Sequence, residues 1–349
     1  VPTWANNFAE TFLATIVPLV ELQSAQLFHP SAPLIADLLE TSSVGLSWFR
    51  ELVGSLSTRP LHFLHELAPT CGTQWKPISD AGRQYRGQGK SLPCHAECYT
   101  HLRYCEFNSV FGGDWPQTLD VWNVGQHLAA RLLTPLFFSD TATRADNHKL
   151  RILFIQRNKK NVNGVREISN AEDLVTHCNA VSHYSCSMHE FGVGGLVHDV
   201  KKVRSYDVLV GMHGSALSFA FFMHRNATML EVRPFGFEGA EWPDRYFAQP
   251  VHLSGAVYHM QLSIGAPELC TPTHPLNIHP IHVQKYASCI IPWSSLARAL
   301  LNIDWFMQPS CTKHDLIQVP KAERCNGPPR LSPHEQSRTS WTARIIVAY

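Results

Sequence analysis

The stretch VRSYDVLVGMHGSALSFAFFMHRNATMLEVRP, residues 203–234, predicts a strand, a loop, a helix and a second strand. Val208–Val210 is short, branched and apolar, as expected of a buried strand, and Gly211–Ser215 interrupts it. The apolar run 216–223 suits a buried helix, and Met229–Val232 predicts the second strand. A strand, helix and strand of this length form a right-handed parallel unit, so the stretch indicates an α/β fold.

The loop between the first strand and the helix is suited to binding phosphate. Gly211 and Gly214 let the backbone approach a ligand closely, and Ser215 is a good cap for the helix that follows. The first amides of that helix lack internal partners and carry partial positive charge, and His213 adds a donor. Glu231 follows on the next strand, where open α/β sheets hold a ribose hydroxyl. The alternative is a tight turn with a structural histidine and a salt-bridged glutamate.

Two arginines follow a second predicted strand, residues 151–155, upstream of this unit. Arg157 comes just after the strand, Arg166 lies beyond an Asn-rich loop, and Asn170 precedes a predicted helix. The guanidinium fork matches the geometry of phosphate oxygens, so the two arginines are candidate diphosphate ligands. The alternative is that both are solvated loop residues.

Both segments resemble signature blocks of glycosyltransferase family 61. GMHGSALSFAFFM…ATMLEVRPF is similar to the HGA-type block, and FIQRNKKNVNGVREISNAEDL resembles the block written R…R-x-I-x-N…E-L. The matching positions of the second block are Arg157, Arg166, Ile168, Asn170 and Leu174. Asp173 stands where the family often has glutamate. The two blocks occur in the family's order and cover roughly residues 150–260.

The resemblance implies a GT-B type α/β fold, in which two Rossmann-like domains face a cleft. It also implies an inverting glycosyltransferase that moves a sugar from a UDP-sugar to a glycoprotein or glycan hydroxyl. The segments Met212–Gly214 and Pro243–Tyr246 are most similar to the protein O-mannose N-acetylglucosaminyltransferase branch, which favours UDP-GlcNAc as donor. UDP-xylose is the alternative donor, and a non-catalytic binding relative is the alternative class of protein.

The resemblance also suggests catalytic residues. Arg157, Arg166, Asn170, His213, Gly214, Ser215 and Glu231 are the expected donor-binding residues, and His213 would also stabilise charge on the departing diphosphate. Family members often have an Asn-x-x-His helix start near the N-terminus. Asn7 matches it here, and Glu10 replaces the histidine. A carboxylate can accept a proton, so Glu10 is the expected general base. The alternative is a surface carboxylate in the first turn of a helix.

The polar segment 138–149 predicts a linker between two domains. We expect an N-terminal, acceptor-side α/β domain over residues 1–145 and a C-terminal nucleotide-sugar-binding domain over 146–310. A tail over residues 311–349 has four prolines and little periodicity, and it predicts irregular structure. The N-terminal apolar helix is expected to end near Pro18.

The composition indicates a globular protein without a nucleic-acid partner. Of the 349 residues, 44% are hydrophobic and 16% are charged, with a formal net charge of +1. No run of charge suggests nucleic acid binding, and no apolar run reaches the roughly 18–20 residues that span a bilayer. The sequence has no Asp-x-Asp motif, so it gives no reason to require a metal, and the UDP-sugar is expected as co-substrate without a further cofactor.

Ten cysteines favour disulfides and therefore a secretory route, in the lumen of the Golgi or endoplasmic reticulum. The sequon at Asn226 agrees with that route. The cluster of cysteines and histidines over Cys94–Cys105 leaves a zinc-binding metalloprotein as the alternative. Because the chain starts at Val1 without methionine, we expect a longer form with a signal or membrane anchor outside this sequence.

Overall fold

The computed structural model describes residues 8–24, 26, 34–36, 43–59, 61–63, 120–133, 149–157, 166–237, 246–272, 286–307 and 342–347. The chain forms two compact units, Val1–Gln117 and Thr118–Tyr349.

The first unit begins with consecutive helical segments, which are α1 (Phe8–Thr11), a π-helical segment (Phe12–Ile16) and α2 (Val17–Ser24). They are followed by β1 (Leu34–Ala36), α3 (Ser43–Gly54) and β2 (Leu61–Phe63), and the two strands pair in parallel. The helix continues past Pro18, so the prediction that it ends there is wrong. A proline inside a helix lacks one backbone N–H donor. The helix accommodates Pro18 next to a wider π-helical turn, which ends directly before Val17.

The second unit is built on a parallel sheet of six strands in the order β10-β7-β6-β5-β3-β4. These strands are β3 (Leu150–Gln156), β4 (Tyr184–Glu190), β5 (Val208–Met212), β6 (Thr228–Arg233), β7 (Tyr258–Ile264) and β10 (Thr342–Val347). A separate antiparallel pair consists of β8 (Cys270–Pro272) and β9 (Ala287–Cys289). The strand β10 lies in the tail for which composition predicted irregular structure, and that prediction is wrong for these residues.

Helices cover both faces of this sheet, as the continuous apolar strands require. They are α4 (Val121–Leu132), α5 (Ala171–Ala180), α6 (Leu196–Arg204), α7 (Ala248–Ser254) and α8 (Trp293–Met307), with 3₁₀ segments at Ser215–Phe222 and Pro267–Leu269. An apolar core lies between one face of the sheet and α5 and α8. The 3₁₀ segment Ser215–Phe222 contacts α4, α6, β5 and β6.

The strand order creates a topological switch point between β3 and β5. From β3 the chain moves outward to β4, then crosses back to β5 on the opposite side of β3. Open α/β sheets bind ligands outside the carboxyl ends of the strands at such a point. Arg157 and the loop Met212–Ser215 follow these two strand ends, so the fold places them together.

The predicted strand, loop, helix and strand are confirmed in β5, the Ser215–Phe222 segment and β6, although the helix is 3₁₀ in form. The α/β class is confirmed, and the second unit is Rossmann-like. The arrangement of two domains around a cleft stays a prediction. The compact second unit starts at Thr118, whereas the sequence placed a domain boundary near residue 145.

The helix α4 packs closely against the 3₁₀ segment through Gly125. A Cβ added at Gly125 would overlap the Phe221 carbonyl oxygen and lie 2.8 Å from its carbonyl carbon. Backbone cannot move aside as a flexible side chain can, so we expect Gly125→Ala to lower the free energy of unfolding by about 1–3 kcal/mol. Denaturant unfolding measures this change. Gly54→Ala is the control, because nothing lies within 4 Å of its added Cβ, and equal stability of the two variants would contradict the prediction.

Candidate functional site

The loop Met212–Ser215 is held by its own backbone at the end of β5. The amide of His213 donates to the Val232 carbonyl at 2.8 Å, which extends the pairing of β5 with β6. Gly214 is extended and caps the 3₁₀ segment, and the Leu217 amide donates to its carbonyl at 3.0 Å. Ser215 is therefore the first helical residue and does not cap through its side chain, which corrects the sequence prediction. The first amides of the segment point out of its end.

Arg157 and Arg166 converge on this loop at Gly214. A Cβ added at Gly214 would overlap Nη2 of Arg157 and lie 3.1 Å from its Cζ and 3.4 Å from Nη1 of Arg166. Nη1 of Arg166 donates to the His213 carbonyl at 2.9 Å, and its guanidinium lies 4.9 Å from the ring centre of Tyr286. The absence of a side chain at Gly214 is what lets both guanidinium groups approach the backbone.

These two cations repel each other and have lost much of their hydration. Burial first, and then the positive charge of Arg166, lower the pKa of Arg157 to about 9. Burial also lowers the pKa of Arg166, while Tyr286 acts in the opposite direction on both. Both remain cationic at neutral pH, and among the described residues neither forms an ion pair with a carboxylate. Two adjacent, partly buried cations of this kind favour binding of an anion.

A buried carboxylate lies beneath the loop. Glu231 has no exposed surface, and its Oε1 accepts from Nδ1 of His213 at 2.6 Å. Its Oε2 accepts from Nε2 of His259 at 2.7 Å, and Arg233 donates to both oxygens at 3.1 Å. Burial alone would raise the pKa of Glu231, but Arg233 and the two histidines hold it well below its usual range.

Glu231 is fully buried, so no surface of its carboxylate faces solvent in this structure, and the ribose-binding role predicted from sequence stays a prediction. His213 is also buried, with 4% of its surface exposed. Its ring packs against Phe237 and Phe247 at centroid distances of 5.1 and 5.4 Å. In this geometry His213 and Glu231 support the loop, and the predicted role of His213 at the diphosphate stays a prediction.

The side chain of Asn170 is bonded to the backbone of Ile291. Its Nδ2 donates to the Ile291 carbonyl at 2.9 Å, and its Oδ1 accepts from the Ile291 amide at 3.0 Å. This pair of bonds joins the start of α5 to the segment before α8. Both polar ends of the side chain thus have a structural partner, and the donor-binding role of Asn170 stays a prediction.

Glu10 lies in α1, and its side chain is outside the described part of the structure. The cluster Cys94–Cys105 is also outside the described residues. Disulfides are confirmed between Cys178 and Cys186 and between Cys270 and Cys289. Within the described ranges, no group of three or more metal-binding side chains comes together, and no helix has the length and hydropathy to cross a membrane.

Sequence reasoning missed three residues of this region, which are Arg233, His259 and Tyr286. Arg233 could have been found, because alternation along β6 puts it on the same face as Glu231. His259 is separated from Glu231 by 28 positions, and only the pairing of β6 with β7 brings them together. Tyr286 follows a Pro- and His-rich stretch that has no periodicity, so the sequence offered no pattern for it.

Known proteins are similar in sequence to this chain over the region that contains the site. The model of the family Glycosyltransferase 61 matches residues 61–230, which contain both arginines and the loop. Alpha-1,3-arabinosyltransferase XAT2 of Oryza sativa subsp. japonica is 33% identical over 293 residues, which are 80% of this chain and 47% of the rice protein. Alpha-1,3-arabinosyltransferase XAT3 of the same organism is 29% identical over 122 residues, which are 34% of this chain and 20% of that protein.

The chain thus spans about half the length of the first of these relatives. The family match begins well before the predicted 150–260 region and ends one residue before Glu231. Both signature segments named from the sequence overlap the matched range. Residues 61–230 of this chain belong to glycosyltransferase family 61.

Proposed function

We propose that this chain transfers a sugar from a UDP-sugar to a hydroxyl group of a glycan or glycoprotein, with inversion at the anomeric carbon. One observation carries the proposal. Arg157 and Arg166, without a carboxylate partner among the described residues, meet at Gly214 on the carboxyl side of the sheet's switch point. A diphosphate would neutralise the two positive charges of this pair, and its oxygens match the geometry of the guanidinium fork.

The reaction follows from where charge develops. An acceptor hydroxyl attacks the anomeric carbon in line with the departing UDP, and a base removes its proton. Negative charge then grows on the β-phosphate, where Arg157, Arg166 and the amides of Gly214 and Ser215 stabilise it. Preorganised donors of this kind contribute about 3 kcal/mol each to lowering the barrier. Glu10 remains our candidate base, since a carboxylate can accept the proton.

The donor sugar has two candidates. The names of the two rice relatives describe arabinose transfer, which favours a UDP-pentose such as UDP-arabinose or UDP-xylose. The segments Met212–Gly214 and Pro243–Tyr246 favour UDP-GlcNAc, through their likeness to the N-acetylglucosaminyltransferase branch. Both candidates share the uridine diphosphate, so the phosphate site is common to them.

We also place the protein in the lumen of the secretory pathway, with the Golgi as the proposed compartment. The two disulfides support this, because such bonds persist in oxidising compartments and are rare in the cytosol. A glycan or glycoprotein acceptor would be available there.

A thermal-unfolding screen tests the donor class. A ligand that binds only the folded protein at a hundred times its Kd adds about 2.7 kcal/mol, so UDP should raise the melting temperature by several degrees. UDP-arabinose, UDP-xylose and UDP-GlcNAc are compared with GDP and NAD as controls. The pentose donors are expected to stabilise the protein more than UDP-GlcNAc does. The proposal fails if no uridine diphosphate compound stabilises the protein. Binding without release of UDP from any donor in the presence of glycan acceptors would indicate the non-catalytic relative.

A further inference from the structure

His259 is a buried histidine in the middle of the second unit's sheet. Only 3% of its surface is exposed, and its Nε2 donates to Oε2 of Glu231 at 2.7 Å. Its Nδ1 has no hydrogen-bond partner among the described residues. On the neighbouring strand it is in register with Met229, which is fully buried.

This placement is unfavourable for folding. Burying an imidazole with one nitrogen unsatisfied costs free energy that an apolar side chain at the same position would not cost. His259 contributes to the compensation of Glu231, but Arg233 and His213 also donate to its two oxygens, so each oxygen would keep a donor without His259. Stability alone therefore does not explain a histidine at position 259.

The contacts of Glu231 show what His259 can do. Arg233, two positions along the same strand, approaches the carboxylate from one side, while His259 bonds to the oxygen that does not face His213. Together they fix the plane of the carboxylate, and that plane directs the Nδ1 bond of His213. The backbone of His213 in turn bonds to Val232 on one side and to Arg166 on the other.

We propose that His259 is a positioning residue for diphosphate binding, which acts through Glu231 on His213 and so on the loop that meets the two arginines. The inference rests on the proposed function, because it assigns the diphosphate of the donor to that loop. His259 donates its hydrogen bond to Glu231, so in this proposal it acts on Arg157 and Arg166 indirectly. Its effect is transmitted by a continuous series of hydrogen bonds within the described residues.

Isothermal titration of UDP into His259→Met tests the proposal. The variant replaces the imidazole by an apolar side chain of similar volume, so its melting temperature should stay within a few degrees of the wild type. The dissociation constant for UDP and the KM for the donor should rise about tenfold, with a smaller change in kcat. His259→Gln, which retains an N–H donor, should recover most of the affinity. His252→Met, at an exposed histidine of α7, is the matched control and should bind UDP as the wild type does.

A double variant separates positioning from general weakening of the fold. His213→Phe keeps a ring among Phe237 and Phe247 but removes the bond to Glu231. If His259 acts through His213, adding His259→Met to His213→Phe should weaken UDP binding less than threefold further. Unchanged binding in His259→Met, or two losses that multiply in the double variant, overturns the inference while leaving the donor class intact. Failure of the wild type to bind UDP instead removes the proposed function and this inference with it.

Discussion

Replacing Arg166 by alanine is expected to reduce sugar transfer at least a hundredfold. The variant loses the 2.9 Å bond to the His213 carbonyl and, under the proposed function, a cation beside the departing diphosphate. Loss of one preorganised donor at a developing negative charge typically costs about 10²–10³ in kcat. The melting temperature should hold or rise, because removal of Arg166 relieves both its own burial and its repulsion of Arg157.

Steady-state kinetics with the best donor, together with thermal unfolding, measure these two effects separately. Arg298→Ala is the matched control, since Arg298 is exposed on α8 and lies among no site residues. It should retain wild-type kinetics. Full activity in Arg166→Ala would remove Arg166 from the site, and a large fall in melting temperature would assign it to the fold.

Replacing Gly214 by alanine is expected to weaken UDP binding by about tenfold or more. The new Cβ would occupy the space now filled by Nη2 of Arg157 and would crowd Nη1 of Arg166 at 3.4 Å. The backbone at Gly214 is extended, with φ 163°, so alanine adopts it without strain. The loss should therefore come from displacement of the guanidinium groups, and titration calorimetry with UDP measures it.

Arg157→Ala provides the test of that cause. With the guanidinium already absent, the further change of Gly214→Ala should cost much less than it does in the wild type, because the two residues share one space. An undiminished loss in the double variant would locate the effect elsewhere. Wild-type affinity in Gly214→Ala alone would show that the guanidinium of Arg157 can relocate without consequence for the ligand.

The sequence was sufficient for the centre of the fold because its patterns there are strong. Val208–Val210 and Met229–Val232 are apolar throughout, as strands buried on both faces must be, and glycines mark the loop between them. The same local order puts the loop at a carboxyl strand end. The arginines became candidates through their position after a predicted strand and through the family resemblance. Parallel pairing of β3 with β5 brings the end of β3, which Arg157 follows, beside the loop.

The depth of a residue within the site could not be predicted from sequence. A glutamate near a strand end can face solvent or the interior, and the choice for Glu231 depends on Arg233 and on His259 of the adjacent strand. Likewise, the sequence shows Asn170 only as a polar residue before a helix. In the structure its side-chain amide bonds to the backbone of Ile291, 121 positions away. Such contacts are set by strand order and loop packing, which local patterns do not encode.

The helix α4 determines how the second unit could be produced as a separate recombinant protein. Asp120 caps this helix, and Trp122 and Gln126 donate to the Met223 carbonyl at the far end of the 3₁₀ segment. A fragment that starts within the polar segment 138–149 would lack α4. The Met223 carbonyl and the apolar side chains of Phe221 and Phe222 would then be exposed, and the fragment should precipitate on expression. A fragment starting at Thr118 keeps its cover and is the one to make for crystallisation with nucleotides.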